Sequence, residues 1–361
     1  MKFCKEKPIR LSVIVCAYNE EKQLENCLSS ILKQDFDPSE FEIIIMDNES
    51  CDSTPIIAKR IVDKNRGTIQ IRYLRIKHAG LSISRNTGIS MARGSIIAFV
   101  DADACVGKDW IKNILSPFDN DPSISIIAGR VLNLNEDIWF SRFIYRAHYS
   151  SGVKARSSTK IGGLTGANMA FRRRVFDFTG GFFDGFASYG DESSVAVKYL
   201  DNHPNEIVGH AEDAIVFNEH PKTLYRWLRQ RFFQGRMLFL INMHISKSST
   251  LNTAMKACIK FLGLFCLFIV LLFPVIHLPA AINFVAIIFF LATFSTRLKY
   301  LFAAYREVSS LFSRPIGAAG VMTCIVGNIC GDAGFVLEAL MALTGKKVAL
   351  DNSKSQLIES C

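Results

Sequence analysis

Two aspartates, Asp101 and Asp103, stand one residue apart where the apolar run Ile96-Ile97-Ala98-Phe99-Val100 ends. An uncharged run of that length reads as a strand buried on both faces, so the acids fall where the chain leaves a covered sheet. Carboxylates so placed can offer oxygens to a hard divalent cation, and the cation can in turn hold a substrate diphosphate. Taken alone, D-x-D also fits a loop start or a helix cap. A second acidic pair, Asp191-Glu192, precedes the helical pattern Val195, Val197, Tyr199 and Leu200. By themselves these acids complement a helix dipole. His220, followed by Pro221, is on its own an ordinary loop histidine.

The elements that must position these groups follow from periodicity. Leu11 to Cys16, Phe41 to Met46 and Ile69 to Leu74 are short β-rich runs that precede the strand at Ile96. Between them lie helical patterns: Leu24, Cys27, Leu28, Ile31 and Leu32, opened by Asn19 as N-cap and by Glu20 and Glu21; a helix with Pro55 in its first turn; and Ser82 to Met91. Four strands separated by three helices predict a parallel sheet with crossover helices, whose ligands bind beyond the carboxyl ends of the strands. Those ends carry Tyr18, Asn19 and Glu20, then Asp47 and Asn48, then His78, then Asp101 and Asp103. No GxGxxG follows the first strand, which disfavours a dinucleotide site.

Composition narrows the partners. The 361 residues can hold one large or two ordinary domains. Ten scattered cysteines without a CxxC pair read as reduced, small hydrophobes in a cytosol-facing chain rather than a zinc site or a disulfide framework. The net charge of +9 favours acidic partners, among them anionic lipid, nucleoside diphosphate and nucleic acid. The first ten residues lack the apolar core of a signal peptide. From Ile138 to Phe176 there are no acids, while Arg142, Arg146, Lys154, Arg156, Lys160, Arg172, Arg173 and Arg174 are basic. Such a run reads as a solvated loop or as a flap over an acidic ligand.

In order and spacing, CAYNEE, DNESCDST, HAGLSISRNTGISMARG and FVDADA resemble the nucleotide-sugar-binding half of the family 2 glycosyltransferases. With the later motifs, the resemblance covers roughly residues 10–240. It implies a GT-A fold, Rossmann-like, with a mostly parallel sheet flanked by helices. It further implies that Ala17, Asn19, Glu20, Asp47 and Asp52 bind base and ribose, and that Arg85 and Asn86 lie near the nucleotide. Asp101 would face the sugar or ribose, and Asp103, with Asp101, would hold Mg²⁺ or Mn²⁺. The segment from Gly166 to Phe171 resembles the family's G-x-N-x-A-F stretch, which implies a place for Asn168 in the donor pocket. The Asp191-Glu192 pair matches the family's E-D with the order of the two acids exchanged, which by position gives Glu192 the general-base role and Asp191 a supporting one and leaves the base open between the two. His220 matches a histidine that can complete the metal site. Glu49 departs from the pattern, standing where members often have glycine. Arg226-Trp227 lacks the preceding glutamine of the processive synthases' Q-x-x-R-W.

Arg226, Trp227, Arg229, Arg231, Phe232, Phe233 and Arg236 mix cations and aromatics on one expected helix, the composition of a helix in a bilayer interface. The runs 257–276 and 278–296 are long enough to cross a hydrocarbon core, and 315–344 reads as a third span or an interfacial helix. Lys256, Lys260, Arg297 and Lys299 flank the hairpin and place its ends on the cytoplasmic side. The expected organisation is a catalytic domain over 1–224, interfacial helices over 225–256, membrane helices over 257–345 and a polar tail over 346–361. The expected activity is an inverting, metal-dependent transfer from a nucleoside-diphosphate sugar to a lipid-linked or membrane-borne hydroxyl, with the bilayer and no nucleic acid as partner. A processive polysaccharide synthase and an inert nucleotide-binding scaffold are the alternatives.

Overall fold

The computed structural model describes residues 7–77, 80–146, 163–183 and 191–245. His78, the basic residues at 154, 156 and 160, the apolar runs beyond 256 and the polar tail lie outside the described residues. Two compact units are present: 1–136 with 152–220 and 350–361, and 137–151 with 221–349.

The first unit is built on one eight-stranded sheet in the order β3-β2-β1-β4-β7-β6-β8-β5. Its strands are β1 (Leu11–Ala17), β2 (Phe41–Asp47), β3 (Gln70–Arg75), β4 (Ile96–Asp101), β5 (Ala104–Val106), β6 (Ile124–Asn133), β7 (Asn168–Arg172) and β8 (Ile207–Asn218). β1, β2, β3 and β4 are mutually parallel where they pair, as expected from the strand–helix alternation. Beyond β4 the sheet becomes mixed, with β6 and β8 still paired in parallel. β7 runs antiparallel to both β4 and β6, and β5 runs antiparallel to β8.

Alternation along the central strands sorts the core onto two faces. Val13, Val15, Ile43, Ile45, Ala98 and Val100 face α1 (Leu24–Leu32), α2 (Thr54–Lys64) and α4 (Trp110–Asn120). Ile14, Ile44, Met46, Ile97 and Phe99 face α3 (Leu81–Met91), α6 (Arg173–Thr179) and α7 (Asp191–Asn202). The continuous apolar composition of β1, β2 and β4 is therefore explained by cover on both sides. Pro55 lies in the first turn of α2, as expected. Asn19 is not the N-cap of α1: that helix starts at Leu24, and Asn19 takes φ +56 in the loop before it.

The second unit contributes α5 (Trp139–Ile144) and α8 (Leu224–Ile245), which pack through Phe143, Ile144 and Trp227, with Phe140 and Leu228 beside them. Among the described residues, no helix is long and apolar enough to cross a membrane.

Candidate functional site

Asp101 is the last residue of β4, and the chain turns at Ala102 to re-enter the sheet as β5. β5 pairs with the end of β8 in the register Ala104↔Asn218. That antiparallel register carries Glu219 and His220 back across from the D-x-D corner. Glu20, in the loop after β1, reaches the same place. Burial first, and then the charges of Asp101, Glu20 and Glu219, push the Asp103 carboxyl up to about 8. Asp101, Glu20 and Glu219, at the carboxyl ends of β4, β1 and β8, thus lie within electrostatic reach of Asp103. Glu219, which the sequence motifs do not mark, is held there by Gln23, whose Nε2 donates to Oε1 at 2.9 Å. Its position beside His220 is the signal that could have revealed it.

Arg85 lies beneath this cluster rather than in it. Its guanidinium is buried over the rings of Phe99 and Phe182, at 5.7 and 5.4 Å, and its Nη2 is 3.8 Å from Asp101 Oδ1. Gly166 makes room for it, since a Cβ there would lie 2.4 Å from Arg85 Nη2. Asn86 uses both ends of its amide on one residue: Nδ2 donates to Phe182 O at 2.8 Å, and Oδ1 accepts from Phe182 N at 2.7 Å. It therefore fixes the aromatic lid over Arg85.

The loops after β1 and β2 clasp each other. Asn48 N donates to Ala17 O at 2.9 Å, Asn19 N to Ser50 Oγ at 3.0 Å, and Cys51 N to Asn19 Oδ1 at 2.9 Å. Glu20 N donates to Thr54 Oγ1, Glu21 N to Asp52 Oδ2, and Thr54 N to Asp52 Oδ1. Asp47 is fully buried, accepting from Ser50 N at 2.8 Å and from Tyr73 OH at 2.7 Å. Ala17, Asp47 and Asp52 thus shape the loops, while Asn19 is exposed and Glu20 half-buried at the mouth. Glu49 adopts φ +63, the left-handed backbone that glycine takes without strain. A residue with a side chain is held here against that strain.

Asn168 is placed differently from the expectation. It is wholly buried, accepting from Trp110 Nε1 at 3.0 Å and donating to Arg130 O and Ala214 O at 2.9 and 2.7 Å. An amide saturated inside the core ties α4, β6 and β8 to β7 and has no donor left for a ligand. The basic triplet also departs from the flap expected of it. Arg172 donates to the carbonyls of Ile124 and Phe118, Arg173 to those of Ala92 and Gly94, and Arg174 pairs with Glu206 at 2.9 Å. Glu192 and Asp191 open α7, as expected, with Glu192 half-buried.

The donor set at the mouth suits a divalent cation. Clustered carboxylates supply hard oxygens, and Mg²⁺ or Mn²⁺ is commonly held by one or two of them, with water and substrate phosphate filling the remaining positions. Burial pushes His220 down to about 4, which keeps its imidazole neutral, the form that ligates. Among the described residues, however, no three His, Cys, Asp or Glu side chains form a cluster able to hold a metal. The expected trio of Asp101, Asp103 and His220 is therefore not a preformed cage.

A strand-end acid pair over a buried arginine, on a sheet that begins 3-2-1-4, is now in view. Residues 12–180 match the family model described as Glycosyl transferase family 2. Individual relatives point the same way. The chain is 24% identical over 247 residues to the glucosyl-dolichyl phosphate glucuronosyltransferase of Haloferax volcanii, a match covering 63% of this chain and 75% of that protein. It is 32% identical over 111 residues to the poly(ribitol-phosphate) beta-N-acetylglucosaminyltransferase TarS of Staphylococcus aureus, covering 31% and 19%. It is 29% identical over 121 residues to the Haloferax volcanii glycosyltransferase AglE, covering 34% and 39%. The last two matches span well under half of those relatives. In structure, the chain resembles the mannosyltransferase PcManGT of Pyrobaculum calidifontis in complex with GDP-Man and Mn²⁺, with TM-score 0.55, 20% identity and coverage of 95% and 91%. That likeness shows the mixed α/β, GT-A-like fold.

Proposed function

We propose that the chain is an inverting glycosyltransferase that moves a sugar from a nucleoside-diphosphate sugar to a hydroxyl of a lipid-linked or membrane-borne acceptor. The observation that carries this reading is the convergence of Asp101, Asp103, Glu20 and Glu219 at the sheet mouth of a family 2 domain. Negative charge gathered there complements a cation-bound diphosphate. The lipid-linked acceptor is supported by the dolichyl phosphate in the name of one relative and by the apolar runs 257–276 and 278–296.

In this reading the clasped loops after β1 and β2 receive the nucleoside, with Asn19, Glu20 and the backbone shaped by Ala17, Asp47 and Asp52. Arg85 holds Asp101 in place from below, Asn86 secures Arg85's aromatic cover, and Asn168 braces the sheet. Asp101, Asp103 and His220 are the residues that would hold Mg²⁺ or Mn²⁺, which supplies charge stabilisation to the departing diphosphate. Glu192 takes the acceptor proton as the acceptor oxygen bonds to the anomeric carbon, and the bond to the diphosphate oxygen breaks with its electron pair. Asp191 supports Glu192. One base and one displacement give inversion.

Calorimetry of the full chain against a panel of nucleoside diphosphates, with and without Mn²⁺, tests donor and metal together. Glu192→Gln should lower transfer by about 10²–10⁴-fold while donor affinity stays within about threefold. Transfer that survives Glu192→Gln removes the base from the scheme.

A further inference from the structure

The chain has three tryptophans, and the packing separates them sharply. Trp110 and Trp227 are 0% exposed, whereas Trp139 is 54% exposed. Trp139 stacks on Phe143 at 5.3 Å, and Phe143 packs on Trp227 of α8, so the two helices form one small body. At the start of α8, Leu224 is 50% and Tyr225 75% exposed. Three of the most exposed large apolar side chains thus belong to α5 and the first turn of α8. A fully buried tryptophan holds the helices together while an indole, a phenol and a leucine are left on the outside.

Charge in the same segments has one sign. No aspartate or glutamate occurs from 138 to 176 or from 220 to 306. The helices carry Arg142, Arg226, Arg229, Arg231 and Arg236, with Arg146 and Lys222 close by. Arg229 and Arg236 lie over the Phe233 ring at 5.5 and 5.7 Å, so their stems follow apolar surface while the segment's field remains positive. A protein partner matched to this face would have to be both acidic and apolar across its contact. A bilayer with anionic headgroups has both properties by construction: headgroup charge for arginine and an interfacial zone where tryptophan and tyrosine settle. The chain that follows α8 contains the apolar runs 257–276 and 278–296, which places the patch close in sequence to segments with the same preference.

We propose that α5 and the first turns of α8 form a docking face for an anionic bilayer surface, with Trp139 and Tyr225 at headgroup depth and Arg226 and Arg229 on lipid phosphates. This surface goes beyond the transfer reaction and does not depend on it. Because Trp139 is the exposed tryptophan, its emission reports on the face directly. The full chain is reconstituted in phosphatidylcholine nanodiscs with or without phosphatidylglycerol, in which a fraction of the acyl chains is brominated near the headgroup.

The expected result is a blue-shifted, bromine-quenched emission in anionic discs that acrylamide cannot reach, and its loss in Trp139→Phe. Arg226→Gln and Arg229→Gln should each lower the docked population about fivefold. Emission that stays red and open to acrylamide in anionic discs overturns the proposal. Quenching that persists in Trp139→Phe assigns the contact to another tryptophan and overturns it as well, and equal quenching in zwitterionic discs removes the role of charge. Nucleoside-diphosphate binding, measured in the same discs, should be unchanged in all three variants, so failure of the docking face is distinguishable from failure of the transferase reading.

Discussion

Asn168→Ala separates a brace from a ligand contact. The amide, itself 0% exposed, holds Trp110 Nε1, Arg130 O and Ala214 O. Three hydrogen bonds of about 1 kcal/mol each are lost, and the Trp110 N–H is left desolvated without its acceptor, so the cost is about 3–5 kcal/mol. At roughly 2–4 °C per kcal/mol for a domain of this size, the melting temperature should fall by about 10 °C. Nucleoside-diphosphate affinity, measured below the new melting temperature, should move by less than about threefold. Asn168→Asp sharpens the test, because only a protonated carboxyl can donate toward Arg130 O or Ala214 O. Burial raises that carboxyl's folded-state pKa above its unfolded value. The variant is therefore most stable relative to wild type below the ordinary aspartate pKa and loses ground as pH rises through the raised value. Differential scanning fluorimetry across pH reads both variants. A melting temperature within about 2 °C of wild type, together with a tenfold loss of nucleotide affinity, would refute the brace and return Asn168 to the donor pocket.

Asp103→Asn should remove the rise in melting temperature that Mn²⁺ with nucleoside diphosphate produces. It should also stabilise the metal-free protein by about 1 kcal/mol, since one of four mutually repelling carboxylates is gone; thermal shift with and without chelator reads both effects. Gly166→Ala sets a Cβ 2.4 Å from Arg85 Nη2 and should displace the guanidinium from beneath Asp101, weakening donor binding at least tenfold by calorimetry, with Gly166→Ser no better. At Glu49, φ +63 costs about 1–2 kcal/mol for a side-chain-bearing residue, and glycine gives back about 0.5–1 in backbone entropy. Glu49→Gly should therefore match or slightly exceed wild type in thermal stability, while Glu49→Val falls below it.

The parallel half of the sheet was legible because its information is local. Val13 to Val15, Ile43 to Ile45 and Ile97 to Val100 are apolar without a break, and their flanks carry the loop residues that a strand end needs. The D-x-D corner was legible for the same reason: Asp101 ends the run that Ile96 begins. Glu49 was visible as an odd residue in a turn, and its positive φ gives the oddity a physical form. The neighbouring expectation failed, because Asn19 followed by two acids fits an N-cap as well as it fits a left-handed loop residue. The chain enters α1 only at Leu24, after the clasp with Ser50 and Cys51 has been satisfied.

By itself the sequence determined which segments are buried, where the strand ends fall, and that Asp101, Asp103 and Glu192 are acids able to serve a cation or a proton. Only the tertiary structure decided what those acids stand beside. Glu219 reaches the D-x-D corner because β5 and β8 pair more than a hundred residues apart, and Asn168 became a brace because Trp110, Arg130 and Ala214 meet it across 58, 38 and 46 residues. The physical reason is that apolar periodicity is written along the chain, whereas a polar side chain's role is set by the partner that packing brings to it.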